Sequence, residues 1–467
     1  MLRRPGVSAI GSLVPVVTPV ALLAGLFAVA SKGAVVSDTW LALVSGREIV
    51  QHGLPSTEHL TSLAAGHQWV DQQWLGQLVL YAAARVGGTG LVVAICGAAL
   101  LFAFGLAAAE AHRKGASPGT ILAFFAFAFA AAPWAAQARP QALALPLFVL
   151  TLWLLLRDVD CRRRSTLWVL PILCLWANVH GSVVLGAAIV CAYGLQVLVR
   201  RGWRPAATAL AVFAPASVLA SPYALQLPGY YRLMLFDRPF AREVVEWQRT
   251  TPSGTTAIFF VLAAGVAVIA AYRRRRIGVV EWLALAITLA AALSAIRNIM
   301  WFGIAVLAVV PPLATRKTSP AMAGWGATAF AAAALAAVVA AVGWASIRPY
   351  DTSSGDRAAA VVRAEVGGGT VLADFGVADW LLWEVPSLRG RVAFDARPEL
   401  LTPREFTGVL RFAREDQGWE SFAAGYSVAV TGPKLAEALA RTRQWQRRFD
   451  DHTLVVLRRV TTSVGTD

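Results

Sequence analysis

Residues 273–310 read RRRRIGVVEWLALAITLAAALSAIRNIMWFGIAVLAVV: four arginines, an apolar run, a polar step at Arg297 and Asn298, and a second apolar run. A hydrocarbon core about 30 Å thick takes ~20 apolar residues of helix at ~1.5 Å each. This stretch is therefore expected to cross a bilayer, turn at the Arg-Asn step and cross back. Windows of similar length recur along most of the chain, near 12–31, 88–110, 118–134, 141–156, 166–179, 182–199, 205–220, 256–272, 278–295, 299–314 and 324–346. The stretch 75–86 is too short to cross and reads as interfacial or re-entrant. The fold class expected is an all-α polytopic membrane bundle of about 11 transmembrane helices.

The loops test this count independently, because Lys and Arg collect on the cytoplasmic side of a membrane. With the N-terminus inside, Arg3/Arg4, Arg113/Lys114, 162–164, Arg200/Arg201/Arg204, 273–276 and Arg316/Lys317 all fall inside. That places the protein in the cytoplasmic (inner) membrane as a multi-pass chain with its C-terminus outside. A competing reading makes the first segment a cleaved signal peptide, since Ala28-Val29-Ala30 follows the basic start and the apolar run.

Composition agrees. Of 467 residues, 57% are hydrophobic and 15% charged, against roughly 25% charged in a soluble domain. The net charge of +15 is carried by residues 1–350, with 27 basic against 11 acidic side chains, while 351–467 hold 15 against 16. The basic excess thus follows the apolar segments and argues against nucleic-acid binding. The domains expected are 1–349, transmembrane with an outward loop 34–87, and 350–467, a small extracytoplasmic α/β domain. In the latter, β-type runs at 370–373, 392–394, 427–430 and 454–457 alternate with helical patterns at 356–366, 403–416 and 434–443. Cys96, Cys161, Cys174 and Cys191 lack metal-ligand spacing and lie away from the polar domain, so they read as small packing residues.

Ionisable groups at membrane depth are costly and mark function. The outward ends collect Asp38 in SDTW, Glu58, Asp71 and Gln73 in the loop that follows, Arg139 and Gln141 in ARPQ, Asn178 and His180 in WANVHG, Tyr223 in SPY, and Arg297 in IRN. Each lies at an odd-numbered crossing end, so convergence on one outward cavity is expected. Residues 37–52 look like an interfacial helix with Arg47, Glu48 and Gln51 facing water. Plainer roles stand beside these: a helix cap for Asp38, loop solvation for Glu58 and Asp71, snorkelling for Arg139 and helix packing for His180. His52, His59 and His67 are spaced seven and eight apart and match no compact metal motif. There is no GK[ST] phosphate loop, GxSxG elbow or HExxH, which disfavours nucleotide hydrolysis and metalloprotease chemistry.

As a set, SDTWLALVSGREIVQHGLPSTEHLTS, WVDQQWL, ARPQ, WANVHG and VAFDARPELL resemble the glycosyltransferase C superfamily, and more closely a bacterial group of glycosyltransferase-like membrane proteins. The resemblance implies an integral-membrane transferase moving a sugar from a polyprenyl-phosphate donor to a glycan, lipid or protein acceptor on the outer face. Asp38 would be the general base, and Arg139 and Arg297, with His180 and Asn178, would hold the donor phosphate. Glu58, Asp71, Gln73, Gln141 and Tyr223 would support the site; Glu58 stands where the bacterial group usually carries Asp, and Gln73 where an acid is common. In the C-terminal domain the motif-like residues are Asp395 and Arg397, for which an internal salt bridge is the competing role. No cofactor is implied beyond the lipid-linked donor, and a divalent metal stays open. Two other readings remain, a lipid or solute transporter and a non-catalytic envelope scaffold.

Overall fold

The computed structural model describes residues 34–158, 160–237, 240–315 and 353–460. The expected spans near 12–31 and 324–346, and the basic pairs Arg3/Arg4 and Arg316/Lys317, lie outside the described residues. The main helices are α1 Ser37–His52, α2 Trp74–Arg113, α3 Pro118–Ala131, α4 Pro140–Leu156, α5 Val169–Val179, α6 Val183–Arg201, α7 Pro205–Ser217, α8 Ala257–Arg273, α9 Val279–Ser294, α10 Ile299–Val309, α11 Ser353–Val366, α12 Phe375–Glu384, α13 Pro403–Arg414 and α14 Pro433–Arg441. The remaining nine expected spans coincide with α3 to α10 and the second part of α2. Among the described residues, three helical stretches, Trp74–Arg113, Val183–Arg201 and Ala257–Arg276, are long and apolar enough to cross a membrane, and six apolar ones are shorter. Within α2 the helical path breaks at Gly87 and Gly88; Gly88 has φ 64°, which an L side chain rarely adopts. The break separates the short expected stretch 75–86 from the span beyond it.

The chain divides into two compact units. One comprises Met1–Ala34, Gly87–Leu225 and Ala241–Ile347, the other Val35–Val86, Gln226–Phe240 and Arg348–Asp467. In the first unit, three helices meet on an aromatic cluster. The ring of Phe148 from α4 lies edge-on to Trp176 of α5 and Trp301 of α10, at 6.1 and 5.3 Å between centroids, and the two indoles are 5.9 Å apart. All three are buried. Trp176 fits because α6 has glycine at 186: a Cβ there would come within 2.5 Å of the indole. Small residues at such points let apolar helices approach closely. Trp168, Trp203 and Tyr272 are by contrast 66%, 77% and 85% exposed, each beside one of the basic clusters.

The second unit holds a four-stranded sheet of β1 Val371–Ala373, β2 Val428–Thr431, β3 Trp445–Asp450 and β4 Val455–Arg459, in the order β1-β2-β4-β3. β1 runs parallel to β2, while β4 is antiparallel to both β2 and β3. The expected strand at 392–394 forms only single bridges, from Val392 to Val371 and to Thr61. Through it the loop after α1 extends the sheet edge: Ser62 and Leu63 donate backbone N–H groups to Val392 and Ala393, and Gly390 donates to Leu60.

Helix α1 belongs to this core rather than lying with its polar side in water as expected. Val44 is buried with Leu60 and Trp69 against Ala358, Val362, Leu381 and Leu382. Arg47 donates to the carbonyls of Leu382 and Trp383, at 2.6 and 3.0 Å. These oxygens end α12 and have no partner within the helix. Glu48, expected to be solvated, is buried and takes two hydrogen bonds from Arg389. Gln51 alone of the three polar residues stays exposed.

Gly186→Ala is expected to push Trp176 out of register and lower stability by about 1–3 kcal/mol, seen as a reduced thermal midpoint in detergent micelles. An unchanged midpoint would show that the aromatic cluster yields without cost.

Candidate functional site

Arg139 and Arg297 stand at the starts of two helices. Arg139 is the extended residue before Pro140, which opens α4 with a ring suited to the first helical position. Arg297 sits in the single 3-10 turn Ile296–Asn298 that leads into α10. Phe148 lies about two turns inside α4 and Trp301 one turn inside α10, so the aromatic cluster that packs these helices also brings their N-terminal ends together. Both ends carry partial positive charge and lack an acid in the first turn of the helix.

The two guanidinium groups share one carboxylate. Glu246 Oε2 is 2.9 Å from Arg139 Nη1 and Oε1 is 3.3 Å from Arg297 Nη1. Arg297 also stacks on the Trp247 ring at 4.2 Å. The segment bearing Glu246 is fixed from behind: Ile296 N–H donates to Gln248 O, while Thr250 donates its N–H to Leu293 O and its hydroxyl to Ala292 O. Burial would raise the carboxyl of Glu246, but Arg297 and Arg139 outweigh it and bring it down to about 2. His180 faces the same charges. Burial first, then Arg297 and Arg139, holds its imidazole well below the ordinary range, so it sits neutral, with Nδ1 paired to the Ser182 hydroxyl.

Thus the structure brings Arg139, Arg297 and His180 together, and adds Glu246 and Trp247, which the sequence analysis did not single out. Parity was the available signal, since the loop after the seventh expected span lies on the same side as ARPQ and IRN. Asn178 instead spends its amide on the carbonyls of Cys174 and Ala220. Tyr223 is buried. Gln141, in the first turn of α4, is buried, and its amide atoms have no hydrogen-bond partner among the described residues.

The second unit contains the other candidates. Asp38 lies in the first turn of α1, whose cap is Val36, so the capping role considered for it is not the one it has. Burial raises the carboxyls of Asp379, in α12, and of Glu399, and the negative charge of Asp38 adds to both. Asp395 and Arg397 form the internal pair: Arg397 Nε is 3.0 Å from Asp395 Oδ2, and Nη2 also bonds that oxygen. Arg397 Nη1 further reaches Glu58 Oε2 at 2.7 Å, and the guanidinium lies over the Trp69 ring at 4.2 Å. Glu58 is fully buried rather than solvated, and its Oε1 accepts the backbone N–H groups of Leu60 and Thr61. This is a closed clamp tying the loop after α1 to the C-terminal domain.

Around the clamp sit acids that favour their neutral form. Burial pushes Asp71 up to about 7, against Arg397 and hydrogen bonds from Gln77 and the Gln73 backbone. Burial likewise raises Glu399 to about 7. Asp379 goes well above its usual range through burial, Asp395 and Asp38; its Oδ2 accepts from Ala396 N–H, and Oδ1 has no hydrogen-bond partner among the described residues. Gln73 is half-buried in the turn before α2. Among the described residues no group of three or more His, Cys, Asp or Glu is arranged to hold a metal ion.

No family model matches the chain, and no curated protein matches it. Solved structures do. ArnT from Cupriavidus metallidurans in the apo state superposes with a TM-score of 0.54 at 16% identity, over 97% of this chain and 99% of that one. The same protein bound to undecaprenyl phosphate gives 0.51 at 14% identity, over 98% and 99%. The Archaeoglobus fulgidus oligosaccharyltransferase in its apo form gives 0.48 at 12%, over 88% and 69%. The likeness to ArnT is one of fold, and it extends over nearly the whole of both chains.

The raised acids set a pH dependence. Asp71, Asp379 and Glu399 hold protons in the folded chain that the unfolded chain releases above about pH 4. Their contribution to stability is therefore complete below that pH and is lost as pH rises toward 7. Asp71→Asn, which mimics the protonated acid, is expected to gain thermal midpoint on the wild type as pH goes from 5 to 8. A wild-type-minus-variant difference that stays constant over that range would contradict it.

Proposed function

We propose that this chain is an integral-membrane glycosyltransferase that uses a polyprenyl-phosphate sugar as donor at the outer face of the cytoplasmic membrane. The observation that carries the reading is the pair Arg139 and Arg297, held side by side at two helix N-termini and bridged by the Glu246 carboxylate. It occurs in a fold shared with a protein that has been crystallised with undecaprenyl phosphate. Planar guanidinium groups grip two phosphate oxygens each and stay protonated where the dielectric is low.

The topology proposed is eleven crossings with the N-terminus inside and two domains, 1–349 in the membrane and 350–467 outside. Exposed Trp168, Trp203 and Tyr272 support placing these span ends at a membrane–water interface, where aromatic side chains gather, and the sidedness rests on the arginine clusters near them.

In the reaction, an acceptor hydroxyl oxygen attacks the anomeric carbon, the bond from that carbon to the phosphate oxygen breaks, and the phosphate departs with the bonding pair. Asp38 takes the hydroxyl proton, a contribution of about 10²–10⁴-fold. Arg139 and Arg297 meet the charge that grows on the leaving phosphate, where fixed donors are most effective. Neutral His180 offers a hydrogen bond without adding cationic charge. Asn178 acts on the site through the backbone it braces. Glu58, Asp395 and Arg397 serve by clamping the loop that follows α1.

The test is transfer by the purified chain from a panel of polyprenyl-phosphate sugars. Asp38→Asn is expected to lower turnover by about 10²–10⁴-fold while polyprenyl phosphate still binds; turnover within a few-fold of wild type would exclude Asp38 as the base. Arg139→Lys is expected to lose at least tenfold in turnover although the charge is kept, because the two-pronged grip is lost. A near-native rate in that variant would reduce Arg139 to an interfacial anchor.

A further inference from the structure

The arginine pair is occupied by a carboxylate of the chain itself. Glu246 places one oxygen on each guanidinium, the arrangement a phosphate would take, and its backbone is pinned two to four residues away by the Gln248 and Thr250 hydrogen bonds. Its side chain is 32% exposed, against 6% for Arg139 and 15% for Arg297. The carboxylate is therefore the most exposed of the three groups, and none of the hydrogen bonds that pin its loop involves its side chain.

We propose that Glu246 is a tethered competitor for the lipid phosphate, seated in the phosphate subsite when no lipid is bound and displaced from it when one is. This rests on the reading that Arg139 and Arg297 hold that phosphate. Charge explains why such a device is useful. The donor's phosphate is a diester with one negative charge, whereas the lipid product released by transfer is a monoester with about 1.5 to 2 at pH 7. Two arginines that stabilise the departing phosphate necessarily hold the product more tightly than the donor. A carboxylate on a short tether acts at millimolar effective concentration or above and returns to the pair whenever the product loosens. While seated, Glu246 is ionised, since Arg297 and Arg139 outweigh burial and bring its carboxyl down to about 2.

The experiment titrates the full-length chain in detergent micelles with undecaprenyl phosphate, by calorimetry, for wild type, Glu246→Gln, Glu246→Asp and Arg297→Gln. Glu246→Gln is expected to bind at least tenfold more tightly than wild type. Glu246→Asp, which keeps the charge but withdraws it by one methylene, is expected to fall between them, and it carries the test should the glutamine variant not fold. Arg297→Gln is expected to bind at least tenfold more weakly. Unchanged or weaker binding by both Glu246 variants, with Arg297→Gln still defective, would overturn the competitor and make Glu246 a residue that positions the arginines. Wild-type binding by Arg297→Gln would instead overturn the phosphate reading itself, whatever the Glu246 variants do.

Discussion

Two guanidinium groups set side by side repel each other and are stable together only around an anion. Arg139 and Arg297 meet that requirement with Glu246, and the surrounding architecture follows from keeping the three in place. Helices α4 and α10 start at the arginines with their positive ends toward the carboxylate. The rings of Phe148, Trp176 and Trp301 lock the same helices one or two turns further in. Glycine at 186 makes room for the largest of these contacts. An arginine at such a helix end costs a few kcal/mol to place near hydrocarbon, and a chain that keeps two of them on one carboxylate has built an anion site.

The second unit uses arginine in the opposite way. Arg397 is enclosed by Glu58, Asp395 and the face of Trp69, and Oε1 of Glu58 in turn accepts two backbone N–H groups. Removing one partner of such a buried pair leaves an uncompensated charge and is strongly destabilising, so the clamp is structural and closed to exchange. The arginine pair of the first unit shares a carboxylate that is partly exposed. The same residue type thus fastens a loop through buried acids in one unit and shares a half-open acid in the other.

Much of this was legible in the sequence. Apolar length located nine spans that are helices, and loop parity put Arg139, His180 and Arg297 at matching ends. What stayed hidden depended on partners distant in the chain. Arg47 and Glu48 have the spacing of a water-facing stripe, yet their partners at 382, 383 and 389 turn that stripe inward. Glu58 and Asp71 sit in a polar loop that reads as solvated, and only the clamp around Arg397 buries them. The strand expected at 392–394 survives as isolated bridges because its edge is taken by the loop at 61–63. Helix α12 and strand β3 do not stand out in the sequence, the first for its Asp379 within an apolar run, the second for its two adjacent arginines.

The most direct test of the central claim is a structure of the full-length chain with undecaprenyl phosphate bound. The phosphate is expected between the Arg139 and Arg297 guanidinium groups, with the Glu246 carboxylate swung away from both. A phosphate seated elsewhere, with the shared ion pair to Glu246 intact, would contradict it.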